Sequence, residues 1–235
     1  MTGRSALVTG GSRGIGLGTA ELLQRRGHRV AVVSRKGDAP AGMLGIACDL
    51  RDPGQIEAAV KQAAAEHGAV EVLVSNAGVA IDRLLLRLPD DELVEQVETN
   101  LLAAVRLTKA VAPGMARARW GRLVYVSSVV ASTGSAGQVA YATSKAGLVG
   151  LARSTARELA GRNVTANVVS PGPIATDMTA SLPADRQRSI VDAVPMQRFG
   201  AVEEVAAVIG FLAGEEASYV TGAVVPVDGG LGMGH

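Results

Sequence analysis

Short apolar, β-branched runs alternate along the chain with longer stretches in which apolar positions recur at helical spacing. The short runs are Ala6–Thr9, Arg29–Ser34, Leu44–Cys48, Val72–Ser75, Leu123–Ser127, Thr165–Val169 and Ala223–Val227. Several are apolar throughout rather than alternating, as strands covered on both faces are. The helical patterns cover Ile15–Arg26, Gln55–His67, Asp91–Arg117, Val139–Leu159 and Val202–Ala213. This alternation predicts βαβ units and one doubly wound parallel sheet of about seven strands, with helices on both faces. Gly27 and Gly68 follow the first two helical patterns as stops. Pro53, after Asp52, suits a helix start, while Pro113 shortens or bends the third pattern. Gly172–Gly200 reads as a mobile excursion with a short helix near Ala184–Ala193. Residues 1–235 carry no repeat or linker and read as one domain.

Bulk properties narrow the class. A chain of 235 residues buries roughly 70% of its unfolded surface and needs no disulfide or metal to fold. The single cysteine, Cys48, cannot pair internally; it reads as a small buried apolar residue in a reducing compartment. A net charge of +1 argues against a general nucleic-acid or membrane binder. Met1 to Arg4 lead straight into an apolar strand, and no apolar run nears the roughly 20 residues of a spanning helix. The expectation is a soluble, cytoplasmic protein.

The first strand runs into Thr9-Gly10-Gly11-Ser12-Arg13-Gly14-Ile15-Gly16 ahead of a helix. Such a turn lets backbone approach a pyrophosphate while helix N–H groups point at it. On its own it is a weak signal, since a strand-to-helix turn needs glycine for structure too. Where a dinucleotide fold that holds NAD places a carboxylate on the ribose, this chain reads Ser34-Arg35-Lys36. Arg35, with Arg13, suits a 2′-phosphate, which predicts NADPH over NADH; the alternative is two plain solvated charges. Asp49, with Leu50 beside it, closes the third strand, and Asn76-Ala77-Gly78 the fourth. Asp49 suits an adenine amino group and Asn76 to Gly78 the adenine ribose, or both segments merely hold their turns.

The fifth strand ends near Ser128, and Tyr141 precedes Lys145 by four residues. Positions i and i+4 share a helix face about 6 Å apart, so an ammonium lies beside a phenol. Reduction of a ketone needs a proton for the forming alkoxide. A free phenol, with a pKa near 10, is a poor donor–acceptor at neutral pH; the ammonium and an oxidised nicotinamide are expected to lower it. Ser128 is placed to stabilise the carbonyl oxygen. A Tyr-x-x-x-Lys pair alone is common on helices, and the weight lies in the combination.

Taken together, Thr9–Gly16, Asn76-Ala77-Gly78, Asn100, Ser128, Tyr141, Lys145 and Pro171-Gly172 resemble the short, single-domain branch of the short-chain dehydrogenase/reductase family. The likeness spans essentially the whole chain. It implies a Rossmann-type fold and a catalytic tetrad of Asn100, Ser128, Tyr141 and Lys145, with Asn100 kinking its helix and feeding a water relay to the lysine. It also implies cofactor contacts from Gly10, Ser12, Arg13, Gly14, Ile15, Gly16, Pro171, Gly172, Ile174 and Thr176, with Tyr141 and Lys145 at the nicotinamide ribose. More narrowly, Ser127-Ser128-Val129-Val130, Gly137-Gln138, Pro171 to Thr179 and Val227-Asp228-Gly229-Gly230 look like 3-oxoacyl-[acyl-carrier-protein] reductases. The closing Gly230 to His235 looks like their actinobacterial, mycolate-pathway members. This likeness implies NADPH-dependent formation of a (3R)-hydroxyacyl thioester in fatty acid biosynthesis. It further implies an acidic carrier protein met by Arg119 and Arg162, and a homotetramer. A polyketide or small-molecule ketone is the alternative substrate. Ala140 stands where many carrier-protein reductases have Asn, and Thr133 lies on the pocket loop, so acyl length stays open.

Overall fold

The computed structural model describes residues 3–180 and 182–233. Met1, Thr2, Gly234 and His235, from the expected start and closing motif, lie outside the described residues, as does the side chain of Met178. In chain order the principal elements are β1 (Ser5–Thr9), α1 (Gly14–Arg25), β2 (Arg29–Ser34), β3 (Leu44–Ala47), α2 (Pro53–His67), β4 (Val72–Ser75) and α3 (Asp90–Val97). There follow α4 (Ala103–Ala118), β5 (Gly121–Val126), α5 (Val130–Thr133), α6 (Val139–Leu159), β6 (Val164–Pro171), α7 (Asp177–Ala180), α8 (Ala184–Ala193), α9 (Val202–Leu212) and β7 (Val224–Val227). The strands form one sheet in the order β3-β2-β1-β4-β5-β6-β7, and every pairing is parallel. The order reverses between β1 and β4, which opens a crevice at the carboxyl ends of those strands.

Side chains alternate between faces along each strand. Leu7, Ala31, Val33, Leu73, Leu123 and Tyr125 pack with residues of α2, α4 and α6. Ala6, Val8, Val30, Val32, Val72, Val74, Val124 and Val126 pack with those of α1 and α9. Two buried faces explain why the strands read as apolar throughout. Cys48 is buried in the first of these cores, where burial above all pushes its thiol up to about 11. At neutral pH it is a small apolar filler, as expected.

The third helical pattern is not the continuous helix its periodicity suggests, but is interrupted where the resemblance implies a kink at Asn100. Instead of one helix from Asp91 to Arg117 there are α3 and α4, joined through a π-helical turn at Glu98–Leu102. A π-turn inserts one extra residue and redirects the side chains around it. Pro113 sits within α4 without ending it. Ala184–Ala193 is helical as expected, and the excursion holds a second short helix, α7. Among the described residues no helix is long and apolar enough to cross a membrane.

The amino ends of the strands are fastened by a charged cluster around Trp120. The guanidinium carbons of Arg4 and Arg122 lie 4.0 and 4.4 Å from its ring centroid. Trp120 Nε1 donates to Glu215 Oε1 at 2.8 Å. Arg122 is fully buried and donates to the carbonyls of Gly121, Asn163 and Gly214. Trp120→Phe keeps an aromatic face for the two guanidinium groups but replaces the indole by a phenyl and deletes its N–H. A hydrogen bond to a charged group contributes about 1.5–3 kcal/mol, so the melting temperature is expected to fall by roughly 3–10 °C in a thermal melt. Whatever chemistry the crevice carries should be unaffected below the melt, because the cluster stands at the opposite end of the sheet.

Candidate active site

The glycine turn after β1 is shaped by close approach. Gly10 has φ +65°, and a Cβ there would stand 3.0 Å from the Ala77 Cα. A Cβ on Gly16 would overlap the Gly10 carbonyl and the Asn76 amide. Asn76 reaches over from β4: its Nδ2 donates to Thr9 O at 3.0 Å and Gly10 O at 3.3 Å. Thr9 Oγ1 accepts from the N–H groups of Asn76 and Ala77, each at 3.1 Å. Two strands thus clamp one turn across the point where the sheet order reverses. α1 starts at Gly14 without a side-chain cap, so the N–H groups of Gly14, Ile15 and Gly16 precede the first helical bond and face outward. The cradle has the clearance and the donors a pyrophosphate needs.

The flanking residues sort themselves around this turn. Ser12, Arg13 and Arg35 are exposed on the loops after β1 and β2. Asp49 is already engaged: Arg51 NH2 donates to Oδ2 at 2.7 Å and its Nε to both oxygens. Those bonds hold its carboxyl down to about 2, with Arg35 adding a weaker pull. Leu50 packs against the core. From β6, Gly172 presses on the Asp228 backbone and Ile174 is buried and bridged to Gly200. Thr176 reaches the glycine turn, its Cγ2 standing 3.5 Å from where a Gly14 Cβ would be. The loops after β1 and β6 therefore meet over the crevice.

Beside that meeting point lie Asn100, Ser128, Tyr141 and Lys145. Asn100 sits inside the π-turn and is 2% exposed. Its Oδ1 accepts from Val79 N at 2.8 Å, and its Nδ2 donates to Val79 O at 2.9 Å. The same Nδ2 donates to Ser144 Oγ at 3.0 Å, and that hydroxyl donates to the Tyr141 carbonyl at 2.8 Å. Lys145 is 4% exposed; its ammonium donates to Val126 O at 2.7 Å and lies 5.8 Å from the Tyr141 ring centroid. Ser127 Oγ donates to the Lys145 carbonyl at 2.9 Å, tying α6 to the end of β5. A Cβ on Gly78 would stand 3.1 Å from both Asn100 Oδ1 and Lys145 Nζ, so that glycine keeps the two polar tips on one small space. Ser128 follows β5, partly exposed, and hydrogen-bonds the Tyr141 phenol.

Charge states follow from burial. Desolvation lowers the Lys145 ammonium from 10.5 to about 8. Burial also raises the Tyr141 phenol above its usual 10; the Ser128 hydrogen bond opposes this and Asp82 adds to it. The expected lowering by the ammonium is thus not what the chain alone displays: burial is the largest influence on the phenol, and it raises it. A buried, protonated phenol is a proton donor.

One expected pair sits apart. Arg119 caps the end of α4 and Arg162 precedes β6, at the amino ends of β5 and β6. Arg119 NH2 donates to Gly161 O at 3.3 Å, so they are neighbours. The six residues of β5 put about 20 Å between them and Ser128. Sequence reasoning passed over Ser144 and Asp82, while the resemblance implied the kink at Asn100 that the π-turn provides. Ser144 stands between Tyr141 and Lys145 and was within reach; Asp82 depends on tertiary contacts.

The chain is similar to known proteins along nearly its whole length. The family described as enoyl-(acyl carrier protein) reductase matches residues 10–232. The 3-oxoacyl-[acyl-carrier-protein] reductase MabA of Mycobacterium tuberculosis (strain ATCC 25618 / H37Rv) is 47% identical over 232 residues, covering 99% of this chain and 94% of that protein. The 3-oxoacyl-[acyl-carrier-protein] reductase FabG of Escherichia coli (strain K12) is 44% identical over 239 residues, covering 98% of each. Among solved structures, a putative gluconate dehydrogenase from Agrobacterium tumefaciens superposes with a TM-score of 0.93 at 27% identity, covering 99% of this chain and 97% of that one.

Proposed function

This chain belongs to the short-chain dehydrogenase/reductase family, and we propose that it reduces the 3-oxo group of an acyl thioester on acyl carrier protein, using NADPH, in fatty acid biosynthesis. The observation that carries the reading is the gathering of Tyr141, Lys145, Ser128 and Asn100 at the carboxyl end of β5, beside the glycine turn. The identities of 47% and 44% to two 3-oxoacyl-carrier reductases support the substrate class. Although the matched family is described by an enoyl reductase, two hydroxyls from Ser128 and Tyr141 on one point favour a carbonyl oxygen over a carbon–carbon double bond.

The nicotinamide supplies the hydride when bound; the residues supply everything else. Gly10, Gly14, Gly16 and the start of α1 hold the pyrophosphate, and Asn76, Ala77, Gly78, Asp49 and Leu50 line the adenosine. Pro171, Gly172, Ile174 and Thr176 hold the nicotinamide end. Ser128 donates to the substrate oxygen, and Tyr141 passes its phenolic proton to that oxygen as negative charge develops. Lys145 steadies the phenolate left behind and holds the ribose hydroxyls, while Asn100 fixes the path by which water returns the proton. The product is the (3R)-hydroxyacyl thioester. Arg35 and Arg13 select the 2′-phosphate.

Arg119 and Arg162 serve the carrier from a neighbouring copy in a homotetramer, since they stand about 20 Å from their own Ser128. The protein works in the cytoplasm.

Acetoacetyl thioester is expected to be consumed with NADPH, and kcat/KM with NADH at equal concentration should be at least tenfold lower, a difference of about 1.4 kcal/mol. Arg35→Ala should erase most of that preference by raising KM for NADPH. Turnover of plain ketones without the thioester would overturn the substrate assignment, and equal kcat/KM for the two nucleotides the cofactor assignment.

A further inference from the structure

The loop after β4 carries an acidic side chain for which the reaction described above has no task. Asp82 is exposed, yet it is held: Gln138 Nε2 donates to its Oδ1 at 3.0 Å. Gln138 is the cap residue at the start of α6, three positions before Tyr141. The backbone ties the same two segments, with Arg83 N–H donating to Gly137 O at 2.7 Å and Arg83 bridged to Gln138. The neighbouring cation does not cancel the charge. Arg83 sends its NH2 to Glu92 at 3.0 Å and its NH1 to the Asp82 backbone carbonyl. The loop is therefore pinned to the helix that bears the phenol, with a carboxylate at the pin.

We propose that Asp82, anchored by Gln138, is a positioning residue for Tyr141: it fixes the first turn of α6 and holds a carboxylate at the residue one helical turn before the phenol. This rests on the reductase reading above. Ionising a phenol beside a carboxylate brings two negative charges together, which disfavours the phenolate. A reductase needs the acid form, whereas Lys145 on the same helix pulls the other way. The groups around the phenol are Lys145 from α6, Ser128 from the end of β5 and Asp82 from this loop. α3 contributes Glu92, already paired with Arg83, and α5 carries no charged side chain. Asp82 acts on the phenol in the same upward direction as burial.

The test is the pH dependence of kcat/KM for acetoacetyl thioester in wild type, Asp82→Asn and Asp82→Glu. Asn keeps an acceptor for Gln138 and deletes the charge. The alkaline limb should move down by about 0.5–1 pH unit in Asp82→Asn and return most of the way in Asp82→Glu. The gap should shrink in about 0.5 M salt. Superimposable profiles, or a rate lowered equally at every pH, would overturn the proposal. Ultraviolet titration of the phenol, with Tyr141→Phe subtracted, reads the same displacement without turnover. An unmoved titration sinks the role of Asp82 in any case. A displaced one in a protein that reduces no 3-oxoacyl thioester leaves Asp82 assigned and removes only the substrate reading.

Discussion

Tyr141→Phe is expected to leave NADPH binding nearly intact and to lower kcat by about 100- to 10,000-fold, the usual range for a lost general acid. The ring stays, so the packing of α6 against β5 and the 5.8 Å approach of Lys145 to that ring need not change. What goes is the proton that must reach the substrate oxygen. Ser128 remains to hydrogen-bond the carbonyl, but donating a hydrogen bond is not transferring a proton. Lys145 is buried, with one of its three N–H groups on the Val126 carbonyl at 2.7 Å, and its others serve the phenol and the ribose and not the substrate oxygen. The effect should therefore appear in kcat, with KM little altered, because the interaction is made chiefly in the transition state. Fluorescence titration with NADPH beside steady-state turnover separates the two quantities. Unchanged turnover would mean that another group delivers the proton.

The contrast between Tyr141 and Asn100 explains what the sequence could convey. Tyr141 and Lys145 are four apart on one helix, so helical periodicity alone brings them to one face. The apolar strands and the glycine turn are likewise local patterns with a local cause. Asn100 is different. Its helix reads as continuous from Asp91 to Arg117, and nothing in composition marks the π-turn at Glu98–Leu102. That turn accompanies the pairing of the Asn100 amide with the backbone of Val79, 21 residues earlier in the chain. The contact between Asp82 and Gln138, 56 residues apart, was invisible for the same reason. The Asn76 clamp on the glycine turn reconciles two readings that had stood as alternatives, since one side chain holds the turn from the strand end where the adenine ribose is expected. The phenol is a subtler case: its spacing from a lysine was legible, but the sign of its shift depends on burial, which spacing does not report.

Lys145→Met is expected to abolish most reduction while making the isolated fold more stable. Lys145 is 4% exposed, and among the described residues its ammonium has one hydrogen-bond partner, the Val126 carbonyl. Burial lowers its pKa from 10.5 to about 8. A group that binds its proton less tightly when folded leaves the unfolded chain holding more protons between those two values. Stability therefore rises with pH from about 8 to 10.5 and is lost again as pH falls through 8. Below 8 the fold carries the full cost of the buried charge, about 3 kcal/mol at 1.36 kcal/mol per unit. Methionine fills similar volume without charge and forfeits one hydrogen bond worth about 1 kcal/mol, leaving a net gain of about 2 kcal/mol at pH 7. Urea unfolding of the chain without nucleotide should show that gain, and it should vanish or reverse by pH 10. A variant less stable than wild type at pH 7, with the difference flat against pH, would mean that the ammonium is stabilised where it lies. The residue would then be structural first, and the view that this fold gives up stability to keep a cation beside its proton donor would have to be abandoned.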